Sequence, residues 1–186
     1  PPPATPAALR VARGVAVALQ YLHSRAVWHL RLRPSCVLLD EDAWSVKVTD
    51  YAIANLEACL EPPRHHMLRG CSPWAPPEVL RRPSHPPAPS ADVFALGVIV
   101  WELLARRRPF EGFSPAQLVA AAGFAGRRLP SMRRCAPGLW AAARACLRPD
   151  ASSRPTSGQV AARLLELEAT DSAREDALRG FFDVSL

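Results

Sequence analysis

The spacing of apolar residues along this chain changes several times, and each change marks an element. Ala8, Ala12, Val15, Leu19 and Leu22 recur at steps of three and four. That is one face of an amphipathic helix over roughly residues 6–24. Pro6 suits its first turn, where a missing N–H costs no hydrogen bond. Residues 1–5 are a stiff, proline-rich lead and read as a linker. Val37-Leu38-Leu39 and Val46-Lys47-Val48 are short apolar or β-branched runs on either side of an acidic turn, Asp40-Glu41-Asp42. They predict a small hairpin. Residues 51–69, with Pro62-Pro63, read as a loop, and the proline-rich stretch 81–89 as an extended surface loop.

From Ser90 the pattern becomes apolar nearly all round: Val93, Leu96, Val98, Ile99, Val100, Trp101, Leu103 and Leu104. A helix with no polar face belongs in the interior. Ser90 is expected to cap it, with Asp92 in the first turn, and Arg106-Arg107-Arg108-Pro109-Phe110 to end it. Ser114-Pro115 predicts a cap followed by proline at the first helical position, opening an alanine-rich helix to about Ala122. Another helix fits 137–147, and a last one carries Val160, Leu164, Leu165 and Leu167. Residues 169–186 read as a tail, partly helical, with Phe181-Phe182 available to pack. The fold class expected is mainly α with one small β-hairpin.

Composition narrows the function classes. The chain has 186 residues, 49% of them apolar and 22% charged, which suffices for one domain with a real core. The net charge of +6 comes from arginine, since Lys47 is the only lysine. The arginine clusters are not interleaved with aromatics, so nucleic acid is not an expected partner. The five cysteines are widely spaced and form no C-x-x-C, and His65-His66 stands alone, so zinc is not expected. Reduced thiols in the cytoplasm fit this usage. No apolar run approaches the roughly 18 residues of a membrane span, and no signal peptide is visible in a sequence that starts at Pro1.

The stretch with most chemical content is Trp28-His29-Leu30-Arg31-Leu32-Arg33-Pro34-Ser35-Cys36-Val37-Leu38-Leu39, followed by Val46-Lys47-Val48-Thr49-Asp50-Tyr51-Ala52. The first resembles the protein-kinase catalytic loop, H-R-D-L-K-P-x-N and three apolar residues. The second resembles the D-F-G metal-binding segment. Gly70 to Glu78 is similar to G-T-x-x-W-M-A-P-E, residues 90–104 to the family's central helix, and Cys146 to Thr156 to C-L-x-x-D-P-x-x-R-P-T. These motifs run in kinase order over residues 6–168, and together they resemble the carboxy-terminal lobe of the fold. Trp74, Trp101 and the segment 110–115 look most like the tyrosine-kinase-like group, near Raf-like and mixed-lineage kinases. No glycine-rich loop and no V-A-I-K-like strand of an amino-terminal lobe precede residue 6.

The resemblance implies roles residue by residue. Glu78 and Arg154 match a buried ion pair, and Asp92 matches an acceptor for the catalytic-loop backbone. His29 and Tyr51 match members of the regulatory spine, which implies that Tyr51 packs inward. Asp50 matches a magnesium ligand, and Arg33 and Leu38 fall at positions facing the nucleotide. The departures are as informative. Arg31 stands where the catalytic aspartate belongs, and a guanidinium cannot accept a proton. Losing a general base typically costs about 10²–10⁴ in rate, and a cation there also repels magnesium. Cys36, at the second metal-ligand position, is soft where a hard oxygen is needed. No catalytic set is intact among His29, Arg31, Arg33 and Cys36.

Residues 51–69 contain no serine or threonine, and Leu30 replaces the arginine that would clamp an activating phosphate. That window is therefore expected to carry none. The reading that follows is a catalytically impaired kinase-like module that scaffolds protein partners. An active serine/threonine kinase and a truncated kinase fragment stay open as alternatives. ATP and Mg²⁺ are expected only if an amino-terminal lobe lies upstream.

Overall fold

A computed structural model of the protein describes residues 5–40, 45–51, 71–82 and 88–183, with side chains from 6 to 171 within those ranges. Helix α1, Thr5–Ser24, buries Ala8, Ala12, Val15, Leu19 and Leu22, the face that the spacing predicts. A single 3-10 turn, Pro34–Cys36, leads into β1, Val37–Leu39, which pairs antiparallel with β2, Val46–Val48. The register sets Val37 opposite Val48 and Leu39 opposite Val46. Asp40 ties off the hairpin by accepting from the Ser45 amide at 3.1 Å. Helix α2 is short, Pro77–Arg81, and α3 runs Pro89–Ala105. Helix α4, Pro115–Leu118, widens into a π-helical turn over Val119–Phe124. Helix α5 spans Pro137–Cys146, and a 3-10 turn at Ala151–Ser153 precedes α6, Ser157–Asp183.

Helix α3 is the axis of the molecule. Ten of its residues are buried, from Ala91 to Trp101. Helix α1 packs on one side of it and α5 on another, while α6 lies along α1. Trp101, Leu96, Leu19 and Leu164 are among the largest fully buried side chains of this core. Two glycines set how closely elements approach. A Cβ on Gly14 would stand 2.5 Å from Val46 Cβ, so the hairpin sits directly on α1. A Cβ on Gly97 would stand 2.9 Å from Cys146 Cβ and 3.1 Å from the Ala143 carbonyl oxygen. Backbone cannot swing aside as a side-chain tip can. Overpacking a core typically costs about 1–3 kcal/mol, against at most about 1 kcal/mol recovered from alanine's better helix propensity. Gly97→Ala is expected to lower stability by about 1–2 kcal/mol net, read as a lower urea midpoint at unchanged slope.

Several expectations need correction. Ser90 does not cap α3. The helix begins at Pro89 with Ala88 at the cap and no side-chain bond there. Pro89 has its φ already set for a first helical residue, and the N–H it lacks would have had no partner within the helix. Leu165 is 56% exposed, whereas Val160 and Leu164 are buried, so the apolar stripe of α6 is narrower than its leucines suggest. Tyr51 is 43% exposed and does not pack inward. The cap at Ser114 is as expected: its hydroxyl accepts from the Gln117 amide, and Gln117 Oε1 accepts from the Ser114 amide. The last helix continues to Asp183, through a stretch without proline. The activation-segment window beyond Tyr51, the proline-rich residues 83–87, Glu41 and Asp42 lie outside the described residues. So do the side chains of Phe181 and Phe182.

Candidate functional site

The loop between α1 and β1 is held from below by one carboxylate. Asp92 is buried in the first turn of α3. Its Oδ2 accepts from the His29 amide at 2.8 Å and its Oδ1 from the Leu30 amide at 2.6 Å. His23 Nε2 lies 3.0 Å from Oδ2, and His23 Nδ1 lies 3.0 Å from the Ser157 hydroxyl. The network thus joins the end of α1, the loop, α3 and the start of α6. Leu30 has φ 63°, a left-handed conformation that a non-glycine residue holds only where its surroundings fix it. The His29 side chain is fully buried beside this network, with no hydrogen-bond partner on either ring nitrogen among the described residues. It acts there as a packing residue.

A second anchor lies under α2. Arg154 Nη1 and Nη2 donate to the two Glu78 oxygens at 2.7 and 2.8 Å. The same guanidinium donates to the carbonyls of Arg148, Ser90 and Pro149, and its plane lies 4.9 Å from the Phe94 ring centroid. Trp74 Nε1 donates to Glu102 at 2.9 Å, which ties the chain before α2 to α3. Burial raises the Glu102 carboxyl above the usual range, and the Trp74 bond and the Arg108 charge pull it part of the way back.

The residues of the candidate catalytic loop come together. Cys36 is buried, with Sγ 3.7 Å from Asp50 Oδ2 and 3.8 Å from the Arg31 carbonyl oxygen. Its single S–H is able to donate to one or the other. Asp50 is exposed with φ 65°, and Arg33 is exposed as well. Arg31 is half-buried. Leu38 and Leu39, at the mouth of the hairpin, are 51% and 48% exposed. Asp50 offers one hard carboxylate to a cation. The neighbouring thiol is soft, and no three His, Cys, Asp or Glu side chains converge on a metal position among the described residues. Asp50 and Cys36 therefore do not fit as a pair of hard oxygen ligands for magnesium.

The sequence matches the protein tyrosine and serine/threonine kinase family over residues 2–164. The chain belongs to this family. It is 31% identical to the serine/threonine/tyrosine-protein kinase HT1 of Arabidopsis thaliana over 156 residues, 84% of this chain and 39% of that protein. With the serine/threonine-protein kinase CTR1 of the same plant it shares 34% identity over 154 residues, 82% of this chain and 18% of that protein. It is 32% identical to the probable serine/threonine-protein kinase drkA of Dictyostelium discoideum over 81% of this chain and 23% of that protein. The chain thus spans well under half the length of these relatives. A helical body with a two-stranded hairpin is consistent with the carboxy-terminal lobe of this kinase fold. No helix among the described residues is long and apolar enough to cross a membrane.

Two features of the site are invisible to motif reading. The His23–Asp92–Ser157 network joins residues far apart in sequence, and only the Tyr21-Leu22-His23 turn before the loop hints at it. The three carbonyls that accept from Arg154 leave no trace in residue identity.

The thiols give a direct check on the site's packing. Cys36 and Cys146 are buried, Cys71 is partly so and Cys135 is exposed. Burial pushes the Cys146 thiol up to about 12, so it stays protonated and inert near neutral pH. Among the four thiols of the described residues, a thiol reagent is expected to label Cys135 first under native conditions. Cys36 and Cys146 should be modified only after denaturant is added, as peptide mapping by mass spectrometry would report.

Proposed function

We propose that this chain is a kinase-fold module of the tyrosine-kinase-like group that does not transfer phosphate and serves as a signalling scaffold for protein partners in the cytoplasm. The observation that carries the reading is Arg31. A permanent cation occupies the loop position where the family places its proton acceptor. The Cys36–Asp50 contact supports it, because the remaining acid faces a thiol rather than a second oxygen ligand. Asp40 is no replacement, since its carboxylate closes the hairpin on the Ser45 amide. The missing serine and threonine in residues 51–69 and the missing loop arginine add that a phosphate switch has been given up along with the chemistry.

The names of the relatives favour the other reading, transfer of the ATP γ-phosphate to protein hydroxyls. Exposed Asp50, Arg33 and Leu38 would then face the nucleotide, supplied with Mg²⁺ and an upstream lobe. A radiolabel transfer assay on the intact protein decides between them. The expected result is no turnover above background, with or without Asp50→Ala. Transfer that Asp50→Ala abolishes would establish an active kinase.

A further inference from the structure

The excess charge of this molecule is confined to one excursion of the chain. Residues 106–134 contain seven arginines and one acid, Glu111, a balance of +6 that equals the formal net charge of the whole chain. All seven arginines are exposed. The excursion also holds an open groove of about 520 Å³, lined mainly by Phe113, Gln117, Ala120, Ala121 and Ala125, with one acid, Glu111, and one base, Arg127, also in its lining. Phe124, in the same excursion of the chain, is 69% exposed, the most exposed large apolar side chain among the described residues. The groove lies on the α4 side of the fold, built by residues that form no part of the loop carrying Arg31, Cys36 and Asp50.

We propose that this groove docks an acidic segment of a partner protein, with an apolar side chain of the segment in the groove and its carboxylates on Arg127 and the neighbouring arginines. Charge complementarity and shape argue for it together. A surplus of +6 along this excursion, in a chain otherwise balanced, attracts an anionic partner to this part of the molecule. Small alanine side chains leave room for an anchor, which is how peptide grooves gain affinity. Arg127 also lines the groove, with its guanidinium carbon 5.0 Å from the Phe113 ring centroid, where the cation meets the ring face. Nucleic acid fits less well. The faces of Phe113 and Trp101 are already covered by Arg127 and Arg107, which leaves fewer stacking platforms for bases.

The inference gives the proposed scaffold a partner class but does not depend on whether the catalytic loop is silent, and binding is measured separately from transfer. The probe is a fluorescein-labelled peptide of Glu and Asp residues with a central Trp-Leu pair, titrated against the intact protein by anisotropy at low and physiological salt. Saturable binding is expected, weakening as salt rises. Arg127→Glu with Arg128→Glu should weaken it at least about tenfold, as should Ala121→Arg, which fills the apolar part of the groove. Arg25→Glu with Arg144→Glu makes the same charge change at exposed positions elsewhere and should have little effect. Circular dichroism melts of each variant report whether the fold is intact. Absence of saturable binding, equal weakening by the remote pair, or tighter binding of a polyuridine oligonucleotide than of the peptide would each overturn the proposal.

Discussion

Arg154→Ala is expected to cost about 3–5 kcal/mol, the range typical of breaking a buried ion pair from one side. The side chain is fully buried, while Glu78 keeps 17% exposure. Removing the guanidinium leaves the Glu78 carboxylate without its bidentate partner. It also strips the donors from the carbonyls of Arg148, Ser90 and Pro149. A loss of that size is a large part of the roughly 5–15 kcal/mol that holds a domain together. Arg154→Lys is expected to fail as well, because an ammonium cannot present the same planar fork to Glu78 and three carbonyls at once. The comparison that isolates the mechanism is Glu78→Ala. Water reaches that carboxylate, and Arg154 keeps its three carbonyl acceptors, so the loss should be smaller than for Arg154→Ala. Urea unfolding of the three variants checks the order. Equal losses for Glu78→Ala and Arg154→Ala would assign the whole effect to the ion pair and none to the carbonyls.

The pair also shows what a sequence can disclose. Glu78 and Arg154 are 76 positions apart, and motif order alone joins them. The same holds for Asp92 and the His29–Leu30 amides. The helices were legible because their apolar faces have helical spacing, and α3 because it lacks a polar face. Helix starts were less so. Ser90 has the chemistry of a cap, but the adjacent Pro89 determines where the backbone enters the helix. The π-helical turn after Leu118 was not legible, since an alanine run suits either pitch. Tyr51 was misplaced for a different reason. A spine position tells which residue packs inward once the covering element is present, and among the described residues nothing covers it. The chemistry at the loop was legible as substitution: Arg31 and Cys36 are evident from residue identity. The direction of the Cys36 thiol toward Asp50 required coordinates.

The second large effect is expected at Asp92. Asp92→Ala removes the acceptor for two backbone amides that have no other partner among the described residues, and each unsatisfied buried donor costs about 1–3 kcal/mol. It also removes the oxygen that faces His23 Nε2, leaving the His23–Ser157 contact unanchored. The strain at Leu30 then loses the bond that holds it, since a left-handed non-glycine residue costs of order 1–3 kcal/mol and persists only while its surroundings impose it. Relaxation of Leu30 recovers part of the loss but destroys the loop geometry, so the loop should rearrange while the helices stay paired. The expected result is a drop in stability of about 2–5 kcal/mol. Amide exchange should quicken at His29 and Leu30 well before it does along α3. Asp92→Asn provides the sharper test. The asparagine oxygen is able to serve one amide, but its NH₂ faces the other as donor against donor. Protection should therefore be kept at one of the two amides and lost at the other. Retained protection at both, with stability unchanged, would mean that packing around the fully buried His29 ring holds the loop without the carboxylate.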